Sequence, residues 1–154
     1  GGNGTLERLI RDWHGALELF GESKRSREYD IWKQLIRMGV NLSFGSDIPG
    51  TEPDELAPLY QMQIVATGRV PGMRPLPAPP DERIPTLAQM IHGYTLAGAV
   101  QMGMEERIGS LRPGKLADMI VLEKNLFTTP PAEWSGIRIL MTMMNGRITH
   151  QAKF

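Results

Sequence analysis

At 154 residues the chain is long enough for one domain with a sizeable core, and 41% hydrophobic with 22% charged residues is ordinary globular composition. Seventeen basic and seventeen acidic residues cancel, which removes the electrostatic argument for nucleic acid or an anionic membrane as partner. No run of about 18 apolar residues occurs, so no transmembrane helix is expected. The absence of cysteine excludes disulfides and thiolate metal sites and suits a reducing compartment such as the cytoplasm.

The Gly1-Gly2-Asn3-Gly4 lead has neither a Met nor the basic-then-apolar order of a signal peptide. It reads as an appended remnant or a cut through a longer chain. Thr5 to Phe20 is predicted helical: Thr5 can cap, Leu6, Leu9, Ile10, Trp13, Ala16, Leu17 and Phe20 share a face, and Gly21 stops it. His14 falls beside that face as a partly exposed helix residue. A second helix runs from Ser26 to Met38, with Tyr29, Trp32, Leu35 and Ile36 apolar and Gly39 at its end. Val40, Leu42 and Phe44 then alternate with Asn41 and Ser43, which predicts a short strand reached through a tight turn. Gly45-Ser46-Asp47-Ile48-Pro49-Gly50 follows as loop, with Asp47 just past the strand's C-terminal end.

Asp54 to Ala66 can hold another helix. From Gly68 to Pro85 the density of proline excludes regular structure and predicts a long loop. Thr86 to Met102 is predicted as one helix, capped by Thr86, with Leu87, Met90, Ile91, Tyr94, Ala97 and Val100 inward and His92 pointing away. The period then changes. Gly109 to Lys115 is turn-rich, Met119-Ile120-Val121-Leu122 reads as a buried strand, and Asn125 to Gly136 as loop. Ile137 to Met144 and Arg147 to His150 are strands joined by the hairpin pair Asn145-Gly146. The last fifty residues are thus a small all-β unit following an α/β part.

Few motifs carry chemistry. The sequence lacks G-x-G-x-x-G, G-x-x-x-x-G-K-[ST], H-E-x-x-H, G-x-S-x-G and His-x-His. His14, His92 and His150 lie on three separate elements with no ligand spacing. Asp81-Glu82 and Glu105-Glu106 read as solvated charge, Met141, Met143 and Met144 as core, and Asp118 as a turn group bonded to backbone. Asp47 is left as the candidate. A carboxylate on the loop after a strand is where α/β proteins place catalytic and metal-binding groups, although an Asx-turn residue has the same local look.

The order of segments carries a resemblance. A helix turns at Gly39-Val40 into a strand ending Phe44-Gly45-Ser46-Asp47-Ile48-Pro49, and a helix with Thr95 in its middle follows. Gly109-Ser110-Leu111-Arg112-Pro113-Gly114-Lys115-Leu116-Ala117-Asp118 comes next, and a hairpin at Asn145-Gly146 closes. From about Phe20 to Gln151 this resembles the C-terminal part of the amidohydrolase superfamily, in its YtcJ-like branch (amidohydrolase family 3). The Gly-Ser-Leu-x-Pro-Gly-Lys-x-Ala-Asp run is the more specific of the two motifs.

The resemblance implies an α/β fold: residues 1–103 as the last βα units of a metal-bearing (β/α)₈ barrel, and 104–154 as the C-terminal share of a small β-sandwich. It implies that Asp47 stands at the end of the eighth barrel strand, ligating or flanking a divalent metal, zinc being the expectation, and accepting the proton of the metal-bound water. Lys115 and Asp118 are expected to be structural. The implied activity is hydrolysis of an amide or other C–N bond of a small-molecule substrate. The rival expectation is an amidohydrolase-like interaction or assembly protein without metal ligands. The family's His-x-His, its mid-barrel Lys or Glu and its two further histidines are not in this sequence. A full barrel needs about 200 to 250 residues. The chain is therefore expected to be a fragment, unable to hold zinc through Asp47 alone. It is expected to expose apolar surface at Trp13, Trp32 and Leu42 where missing strands pack, and to associate with the missing N-terminal part or as a homo-oligomer.

Overall fold

The computed structural model describes residues 34–45, 56–67, 71–72 and 85–153. The predicted helix at Thr5 to Phe20, most of that at Ser26 to Met38, the loop bearing Asp47 and most of the proline-rich segment lie outside the described residues. So do Trp13 and Trp32.

Residues 34–37 are the helical end that the sequence leads one to expect, and its stop is a left-handed glycine cap. Gly39 has φ 71°, its N–H donates to Ile36 O at 3.0 Å, and Val40 N donates to Leu35 O at 3.0 Å. These two bonds satisfy carbonyls that a helix end leaves unpaired, and a side chain at Gly39 would be strained at that φ. Residues 40–45 then carry no regular secondary structure and have no strand partner among the described residues. The strand that the alternation predicts at Val40–Phe44 is therefore not formed among the described residues. The described neighbours of this stretch are the helical residues Gly93, Ala97 and Gln101.

Helix α1, Pro58–Thr67, starts later than the sequence suggests, with proline in its first turn, where the missing N–H costs nothing. It buries Leu59, Met62 and Gln63. The predicted Thr86–Met102 helix is two helices, α2 (Leu87–Tyr94) and α3 (Leu96–Gln101), broken at Thr95 with φ −129° and ψ −92°. The start is the one expected: Thr86 Oγ1 accepts from Gln89 N, and Gln89 Oε1 accepts from Thr86 N at 2.8 Å, a reciprocal capping box.

Three antiparallel strands follow in the order β1 (Met119–Leu122), β2 (Ile139–Met144) and β3 (Arg147–Gln151). Asn145 and Gly146, at φ 49° and 75°, make the two-residue turn that joins β2 to β3, as their sequence demands. The segment read as loop before β2 ends in a 3₁₀ turn, Pro131–Gly136. Its Trp134 enters the core with Leu59, Met62, Met90 and Ile137. Trp134 Nε1 donates to Thr129 O at 2.9 Å, and Ser135 N donates to the buried Gln63 Oε1 at 2.8 Å, so both buried polar groups are paired.

The sheet corrects two expectations: Met144, expected in the core, is 64% exposed, and β1 is less buried than its apolar run implies. The sequence predicts a buried β1, yet Ile120 is 53% and Val121 41% exposed. Cross-strand pairs share a face. Ile120, Thr142 and His150 therefore lie on one side, and Met119, Met143 and Ile148 on the other. β3 is exposed along its whole length, so among the described residues little covers the sheet. A run of four apolar residues specifies a strand suited to burial, a state that Ile120 and Val121 do not reach among the described residues.

Candidate functional site

The Val40–Gly45 stretch leads to Asp47, and its own side chains dock onto the broken helix. Asn41 spans the break. Its Nδ2 donates to Ala97 O on α3 at 3.0 Å, while its Oδ1 lies 3.3 Å from His92 Nε2 on α2. Ala97 O can only accept, so the Asn41 amide must face it with NH₂ and turn its oxygen to His92. The His92 Nε2 must then carry the hydrogen and donate. His92 is exposed, as the sequence suggested, but it has a defined partner. Beyond the break, Ser43 Oγ donates to Gln101 Oε1.

The backbone docks as well. Phe44 N donates to Gly93 O at 3.2 Å. At Thr95 the chain leaves the helical path: Thr95 N bonds His92 O at 3.1 Å, and Thr95 Oγ1 donates to Ile91 O at 2.6 Å. The hydroxyl thus takes the carbonyl that the Thr95 N–H would hold in an unbroken α-helix. Gly93 is required by the fit. A Cβ there would sit 2.2 Å from the Phe44 ring and 3.2 Å from Leu42 O. Leu42 is half-buried against this helix rather than laid bare. The Phe44 and Tyr94 rings pack at a centroid distance of 5.5 Å with a 38° tilt, and burial pushes the Tyr94 phenol above its ordinary pKa of 10.0.

The second motif segment, 105–118, is held by a different set of bonds. Gly109, at φ 84°, lies against α3, where an added Cβ would come within 2.7 Å of Ala99 Cβ. Lys115 Nζ donates to Glu105 O, to Ser110 Oγ at 2.8 Å and to Ile108 O at 3.4 Å. Its three hydrogens are all directed at the loop that precedes it. Leu116 N donates to Arg107 O at 2.8 Å. Asp118 Oδ1 accepts from Asn145 N at 2.6 Å, and Ala117 O from Gly146 N at 3.1 Å, which ties the hairpin turn to the segment's end. Lys115 and Asp118 therefore do the structural work expected of them.

Only some of the sequence candidates fall among the described residues. Asp47 and His14 lie outside the described residues, and His150 sits on β3 with Nε2 3.3 Å from Ile139 O. Among the described residues no three His, Cys, Asp or Glu side chains gather as a metal donor set, so these residues do not by themselves fit a metal. Sequence reasoning missed Asn41 and Gly93. A glycine inside an apolar helical pattern was the available signal for Gly93; Asn41 had none, being an ordinary outward strand residue until its partners are known.

The amidohydrolase family model matches residues 10–150. Three relatives agree. Protein LONG AFTER FAR-RED 3 of Arabidopsis thaliana is 28% identical over 141 residues, 92% of this chain and 23% of that protein. The putative amidohydrolase YtcJ of Bacillus subtilis is 25% identical over 143 residues, 93% of this chain and 26% of that protein. A 5-methylthioadenosine/S-adenosylhomocysteine deaminase of Teredinibacter turnerae is 34% identical over 56 residues, 36% of this chain and 13% of that protein. The chain thus spans about a quarter or less of the length of these relatives. It belongs to the amidohydrolase family. Within it, the chain falls in the YtcJ-like branch.

Proposed function

We propose that this chain is the C-terminal part of a metal-dependent hydrolase that cleaves an amide or other C–N bond of a small molecule with an activated water. The observation that carries the reading is the match of the amidohydrolase family across residues 10–150. The likeness to a protein named a deaminase and to one named an amidohydrolase supports C–N chemistry. We assign the site carboxylate to Asp47, on the motif order Gly45-Ser46-Asp47-Ile48-Pro49. The finer architecture we propose is the end of a (β/α)₈ barrel over residues 1–103, joined to the C-terminal strands of a β-sandwich over 104–154. The exposed faces of the β1–β3 sheet are consistent with a sandwich whose second layer lies in another part of the protein.

In this reading Asp47 takes a proton from water as the water attacks, a step in which positioned general bases contribute about 10²- to 10⁴-fold. A divalent cation, zinc in our proposal, would supply a water of pKa near 7 instead of about 15.7. Since a catalytic zinc needs about three protein ligands, the remaining donors must come from outside this chain. Titrating zinc into the isolated 154-residue chain and into the protein with its upstream barrel tests this. Weak, non-stoichiometric binding by the first and tight binding by the second are expected. Tight stoichiometric binding by the isolated chain would overturn the assignment. Absence of tight binding in both would favour an amidohydrolase-like assembly protein.

A further inference from the structure

We draw no further inference here: the strongest candidate, the cluster of Asn41, His92, Gly93 and Phe44 where the 40–45 stretch docks across the helix break at Thr95, belongs to the site already described and adds no ligand or reaction to it.

Discussion

The two motif-bearing regions of this chain are held in opposite ways. The 105–118 segment is fastened largely to itself and to the hairpin behind it: Lys115 closes on the loop before it, and Asp118 and Ala117 hold the Asn145-Gly146 turn. Among the described residues the 40–45 stretch is tied locally by Val40 N to Leu35 O, and beyond that it docks on a helix some fifty residues away, through Asn41, Ser43, Phe44 and the bare backbone of Gly93. The segment that most readily gives the family away is thus a structural weld. The stretch that precedes the proposed catalytic carboxylate is placed by long-range contacts. A motif's specificity for a family and its share in the chemistry are separate properties.

Breaking the long-range side should show the largest effect. Gly93→Ala forces a methyl into the Phe44 ring, and overpacking of this kind costs about 1–3 kcal/mol. Urea unfolding should show the loss near the top of that range, with part of it recovered in a Gly93→Ala, Phe44→Leu double variant. A cost that is the same in the presence and absence of the Phe44 ring would mean the docking is not what Gly93 serves. On the welded side, Lys115→Met keeps the stem and removes the ammonium from its three acceptors. Hydrogen bonds to charged groups contribute about 1.5–3 kcal/mol, and part-burial keeps the expected loss near 2 kcal/mol. Amide exchange should accelerate from Glu105 to Ser110 while the Phe44 amide stays protected.

Asn41→Ala sharpens the contrast from the other side. It should cost about 1 kcal/mol and speed exchange at Phe44 without touching the hairpin amides. Tyr94 gives a pH test. Its folded pKa is raised, so the protonated phenol stabilises the fold fully below the unfolded value of 10.0, and that stability is lost as pH rises through the higher folded value. Tyrosinate absorbance should show Tyr94 ionising late, and Tyr94→Phe should flatten the fall in stability above pH 10. The smallest effect is expected at the exposed Lys124–Glu133 pair, 3.2 Å apart, where Lys124→Ala should change stability by no more than about 0.5 kcal/mol.

What the sequence made legible followed where local chemistry decides. Asn145-Gly146 specified its turn because positive φ at two successive residues admits few side chains. Thr86 specified a helix start, and Gly39 a helix stop, for equally local reasons. The break at Thr95 was not legible. The apolar period continues through it from Tyr94 to Ala97 and Val100, while the break is set by a hydroxyl bonding back to Ile91 and by the partners that Asn41 finds on both sides. The burial of Trp134 on a 3₁₀ turn was hidden because Pro130-Pro131 signals loop, and a prolyl start suits a short helical turn equally well. The exposure of Ile120 and Val121 among the described residues shows the reverse limit: a pattern states what a strand is suited to, not what lies against it. The candidate site was the least local of all. Asp47 by itself looks like a turn residue, and only its order relative to the 109–118 segment singled it out.

The most direct test of the central claim is hydrolysis by a longer protein that carries this chain with the proposed upstream barrel, assayed with added zinc on a panel of N-acyl amino acids and amidines. The account predicts that chelation abolishes turnover, that zinc restores it, and that Asp47→Asn lowers kcat by at least about 10²-fold at saturating zinc. Full turnover in Asp47→Asn, or turnover indifferent to zinc, would contradict it.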